Sequence, residues 1–100
     1  MGNKIEKFPK LFFKNANGIK YEIIWKCPAK SLKASGLCDP PGEPKPKIWI
    51  DPNLDEKRLM EVIIEEVTHA FWFEKTEREV RKLAAVLKKL LYKNGFKLVP

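Results

Sequence analysis

Five consecutive residues, Glu65-Glu66-Val67-Thr68-His69, place three titratable side chains within a largely apolar stretch of the chain. At 100° per residue, Leu59, Val62, Ile63, Ala70 and Phe73 form one apolar arc of the helix this stretch predicts. Glu66 falls inside that arc, where a carboxylate is costly to bury unless it is paired, hydrogen-bonded or close to a cation. His69 lies one turn on, at the edge of the arc, and Glu65 sits on its other side. Side chains at i and i+4 share a helix face. In the pattern His-Glu-x-x-His, the two histidines grip one zinc ion and the glutamate between them is general base toward its bound water. Here Glu66 has the place of the base and His69 that of the second ligand. Glu65 stands where the first histidine belongs.

Such a site takes its third ligand from a glutamate on a following helix, and Glu77 and Glu79 are the candidates. Glu77 projects within roughly 60° of the face carrying Val80, Ala84 and Leu87. Glu79 falls about 100° from Val80 on the other side, and its spacing from Thr76 gives it a capping role. The candidate set is therefore Glu66 as catalytic base, with His69, Glu77 and Glu65 as metal ligands.

Plainer readings stand beside these. His69 also suits a half-buried histidine that holds a hydrogen bond. Glu65 also suits a solvated face shared with Glu61, Arg58 and Thr68. Glu66 can pair with a basic side chain of the second helix such as Arg81, and Glu77 can serve the helix dipole in the first turn. Cys38, followed by Asp39-Pro40-Pro41, reads as structural rather than as a ligand or redox group. Trp25, Trp49 and Trp72 read as core. Tyr92 lies on a Leu-rich helix, which favours packing over an oxyanion role.

The elements that must position these residues divide the chain in two. Residues 1–52 read as strands and a Pro-rich loop, with helices at about 54–73 and 76–94. Leu11 to Phe13 and Tyr21 to Trp25 are short apolar or alternating runs separated by Asn15-Ala16-Asn17-Gly18, a hairpin signal. From Cys27 to Lys47 the chain reads as irregular, because Pro40, Pro41, Pro44 and Pro46 exclude helix and disfavour a central strand. Lys47 to Ile50 reads as a third strand. Thr76 and Glu79 form a capping box at the start of the second helix, and Asn94-Gly95 stops it. Its face of Val80, Leu83, Ala84, Leu87, Leu90 and Leu91 has helical period. The expected fold is one α+β domain over residues 1–100: a small three-stranded sheet with two C-terminal helices packed on one face.

From Gly36 to Phe96 the sequence resembles small phage-like bacterial proteins related to the minigluzincins, single-domain relatives of zinc metallopeptidases. The shared features are Gly36-Leu37-Cys38-Asp39-Pro40-Pro41, a strand leading into Leu59 to Ala70, Trp72, Thr76-Glu77-Arg78-Glu79-Val80, and the helix end Leu91-Tyr92-Lys93-Asn94-Gly95-Phe96. The resemblance implies a minimal zincin fold with an active-site helix, a second helix bearing the distal glutamate, and zinc as cofactor. The chain departs from the family pattern His-Glu-x-x-His-Ala at Glu65. A carboxylate there gives the metal more negative charge and leaves it less able to acidify its water. Manganese or magnesium then competes better with zinc. Hydrolysis is expected to be weak or lost, which makes the chain a candidate pseudoenzyme.

Composition narrows the remaining classes. With 44% hydrophobic and 33% charged residues the chain is a folded protein rather than a disordered one. Cys27 and Cys38 are too few for a disulfide framework. Apolar runs are broken by Glu65, Glu66, Glu74 and Lys88 before they reach membrane-spanning length, and Met1 to Lys10 lacks a signal-peptide core. A cytoplasmic location is the expectation. Glutamine is absent and Lys and Glu dominate, a bias shared with proteins of thermophiles. The net charge of +7 permits a nucleic-acid partner through Lys75, Lys82, Lys88, Lys89 and Lys93, but no nucleic-acid motif accompanies it. The alternative is a basic interaction module that binds nucleic acid or a protein partner without catalysis, and a peptidase-like domain with a peptide or protein substrate or partner ranks above it. Met60, Ile64 and Phe71, outside the arc, need the sheet or a second copy to cover them, so both monomer and homodimer stay open.

Overall fold

A computed structural model describes Phe8, residues 10–28 and residues 34–97. Readings that fall on residues 1–7, 9, 29–33 and 98–100, among them most of the N-terminal stretch and part of the Pro-rich loop, lie outside the described residues. The architecture is α+β. Strands β1 (Leu11–Lys14), β2 (Lys20–Ile24), β3 (Gly36–Cys38) and β4 (Lys47–Ile50) precede helices α1 (Glu56–Phe71) and α2 (Glu77–Lys93).

The β1–β2 hairpin forms where Asn15 and Gly18 direct the chain back on itself. The Asn15 side chain accepts from the backbone N–H groups of Asn17 and Ile19, both at 2.9 Å. Gly18 supplies the positive φ of 79° that the turn requires. The two strands pair antiparallel, with Phe12 opposite Glu22 and Lys14 opposite Lys20.

The sheet has four strands, in the order β1-β2-β4-β3, rather than the expected three. The additional strand lies inside the stretch read as irregular. β3 pairs antiparallel with β4, with Gly36 opposite Ile50 and Cys38 opposite Ile48. Three residues beginning with glycine carry no period that a sequence reading can detect, so the pairing with β4 makes this strand. The prolines fall beyond its end and leave its hydrogen bonds intact. Asp39 closes the connection: its N–H donates to Lys47 O at 2.9 Å, and its Oδ2 accepts from Lys47 N at 3.0 Å. β2 and β4 run parallel at the centre of the sheet.

The core follows from this order. Tyr21 and Ile23 of β2, and Ile48 and Ile50 of β4, point the same way as alternate residues of their strands and meet Leu59, Val62 and Ala70 of α1, with Phe8 added from the N-terminal side. α1 packs on β3 and β4, whereas α2 packs chiefly on α1 rather than directly on the sheet. Burial on α2 is accordingly confined to Val80 and Ala84. Leu83 and Leu90 of its apolar face remain exposed. α1 ends at Phe71 with Trp72 as C-cap, so Phe73 falls outside the arc assigned to it and is 43% exposed. Trp72 is also exposed, against the core reading, while Trp25 is half-buried and lies against Phe8 with ring centroids 4.6 Å apart. Among the described residues, no helix is long and apolar enough to cross a membrane.

Candidate functional site

Glu66 enters the interior because α1 turns its arc toward the sheet. It is 6% exposed, and β3 passes directly over it. A Cβ added to Gly36 would meet Glu66 Cγ at 2.7 Å, Glu66 Oε2 at 2.8 Å and Val62 Cγ1 at 2.9 Å. Glycine at this point lets the edge strand lie against the carboxylate.

The carboxylate faces a cleft of about 350 Å³ lined by Gly36, Leu37, Cys38, Glu66, His69, Phe73, Lys75 and Glu77. The cleft therefore gathers Glu66 and His69 from α1, Glu77 from α2 and the edge strand β3. Burial first, and then the carboxylates of Glu65 and Glu77, push the Glu66 carboxyl up to about 7 against the opposing pull of Arg58 and Arg81. A carboxyl tuned to that range can take up or give up a proton near neutral pH. The Cys38 thiol is also pushed up, to about 12, by burial first and then by Glu66 and Asp39, so it stays protonated and is no nucleophile. Tyr21, beside it, is likewise raised to about 12 by burial, and its hydroxyl donates to Asp39 O at 2.9 Å.

Of the two glutamates weighed for the second helix, Glu77 is the one that reaches α1. Its Oε2 lies 3.0 Å from His69 Nε2. Glu79 is taken up by the cap: its Oε1 accepts from Thr76 N at 3.1 Å, and Thr76 Oγ1 accepts from Glu79 N at 3.1 Å. That leaves Glu77 free in the first turn to face His69.

Glu65 is not on a solvated face. It is 8% exposed and lies near α2, with its Oε1 3.9 Å from Arg81 Nε. Arg81 also lies 3.1 Å from Glu77 Oε1. The arginine considered as a partner for Glu66 thus forms its ion pairs with Glu65 and Glu77. Tyr92 stands away from the cleft and donates to Glu56 Oε1 at 2.9 Å.

Zinc in a peptidase site takes three protein ligands. His69 and Glu77 are close enough to share an ion, but Glu65, the third candidate, is turned to Arg81. Among the described residues, no group of three or more His, Cys, Asp or Glu side chains is arranged to hold a metal ion. The donor set as arranged does not fit a three-ligand zinc centre. Lys75 and Phe73 also line the cleft without having been assigned to it, because both belong to the turn after α1, whose path no periodicity predicts.

No protein-family model matches the chain, and comparisons with curated proteins and with solved structures return no match.

Proposed function

We propose that this protein is a minimal zincin-like domain, related to the minigluzincins, with a degenerate metal site and weak or absent hydrolytic activity. In this reading its cleft serves to engage a peptide or protein segment. The observation that carries it is the convergence of Glu66, His69 and Glu77, the proposed base and two ligand positions, on one cleft under an edge strand. Glu66 is buried, and His69 beside it lies 3.0 Å from Glu77 of the next helix; a desolvated carboxyl with charged neighbours in a cleft is a functional-site candidate.

The chain's own residues define what remains of the chemistry. Glu66 can hold or accept a proton at its carboxyl. His69 is oriented by Glu77, and Lys75 adds a positive charge to the lining of the cleft. Glu65 in place of histidine removes the neutral nitrogen donor the pattern calls for.

Elemental analysis of purified protein, alongside a Glu65→His variant, tests the reading. The native protein is expected to carry no stoichiometric zinc, and the variant to take up zinc that His69→Ala then removes. Native protein with one zinc per chain that cleaves a casein-type substrate, with cleavage abolished by Glu66→Ala, contradicts the degenerate reading.

A further inference from the structure

We propose that Arg81 is the built-in cation of this site, its guanidinium joining Glu65 of α1 to Glu77 of α2, two positions that the zinc-peptidase pattern assigns to metal ligands. The inference rests on the zincin-like reading and adds what has replaced the ion. Four side chains form an alternating chain across the α1–α2 junction. His69 Nε2 lies 3.0 Å from Glu77 Oε2, Glu77 Oε1 lies 3.1 Å from Arg81 Nε, and Arg81 Nε lies 3.9 Å from Glu65 Oε1.

The helical geometry makes this arrangement local to one face of each helix. Glu65 and His69 are one turn apart on α1, and Glu77 and Arg81 are one turn apart on α2. Where the two faces meet, each carboxylate has a positive or protonatable partner from the opposite helix. Glu65 is the member that needs one most, because it is buried whereas Glu77 and Arg81 are exposed. A buried carboxylate without a cation is costly.

Arginine suits the task better than a titratable base. Its charge is permanent, and its planar fork can serve two carboxylates at once. A divalent ion placed between Glu65, His69 and Glu77 would have to share both carboxylates with a fixed positive charge. Like charges at that range repel. Glu65 where the pattern has histidine, and Arg81 one turn after Glu77, then belong to one charge arrangement. Arg81 Nε lies 3.9 Å from Glu65 Oε1, at ion-pair rather than hydrogen-bond range, so the guanidinium offsets the charge of that buried carboxylate without metal.

The test is a zinc titration by calorimetry of full-length Glu65→His, Glu65→His/Arg81→Met and Glu65→His/Arg81→Lys, with circular dichroism to verify the fold. Removing the guanidinium charge is expected to tighten zinc binding by about tenfold or more, on the scale of taking away one like charge partly screened by water. Arg81→Lys keeps a cation and is expected to bind zinc as weakly as the Arg81 background. Affinities equal within about twofold with and without the charge, the size of an ordinary surface effect, overturn the inference while leaving the scaffold reading intact. Zinc binding by none of the three variants overturns the zincin-like reading and this inference together. Arg81→Gln replaces Arg81→Met if the latter does not fold, with the same expected outcomes.

Discussion

At the scale of single residues, Gly36 and Glu66 form the tightest constraint in the site. Gly36 is required for close approach rather than for an unusual backbone angle, since a methyl group there would fall within 2.9 Å of Glu66 and Val62 side-chain atoms. Gly36→Ala is expected to destabilise the fold by about 1–3 kcal/mol, the usual range for forcing an extra carbon into a packed contact. Urea denaturation measures it. The loss is expected to shrink by more than about 0.5 kcal/mol in a Glu66→Ala background, because the two positions share the contact. Equal losses in both backgrounds would assign the crowding to Val62 alone. The sequence made Glu66 visible, because helical period placed a carboxylate inside an apolar arc. The reason for Gly36 was hidden, since it depends on a strand passing over a helix from a distant part of the chain. The pairing of Glu65 with Arg81 was equally hidden: it depends on how α2 crosses α1, which neither helix encodes by itself.

At the scale of elements, the signals written in neighbouring residues were legible and those written between distant residues were not. The Asn-Gly hairpin, the capping box at Thr76 and the stop at Asn94-Gly95 are chemistry within a few residues, and each element boundary follows from it. β3 exists through β4, and no local pattern announces it. The cap of α2 also bears on the site, because it fixes the first turn from which Glu77 reaches His69. Thr76→Ala is expected to lower unfolding free energy by about 1 kcal/mol, with Thr76→Ser close to native, since serine keeps the accepting oxygen. Chemical denaturation followed by circular dichroism reads both. A Thr76→Ala variant as stable as the native protein would mean that the contacts of Glu77 with His69 and Arg81, not the cap, anchor the start of α2.

At the scale of the whole molecule, the stack of sheet, α1 and α2 makes α1 the shared support of the core and of the cleft, so the protonation of Glu66 is coupled to folding itself. Folding raises its carboxyl from 4.5 to about 7, chiefly through burial. The native state therefore keeps a proton that the unfolded chain releases. The stabilisation from this group is full below about 4.5 and is lost as pH rises through about 7. The other carboxylates and the net charge of +7 give the native protein its own pH trend, so the informative quantity is a difference. Glu66→Gln has nearly the same shape and does not titrate. In EDTA-treated protein, the stability of native relative to Glu66→Gln is expected to fall by on the order of 2–3 kcal/mol between about pH 4 and pH 8. Unfolding free energies from urea titrations across that range measure it. A difference that stays flat would mean that Glu66 is solvated well enough to ionise in place, and the cleft would then be open to water down to its floor. A falling difference would mean that α1 holds a carboxyl in reserve under β3, protonated where its own contribution to stability is greatest and ionised only at a cost shared by the whole fold.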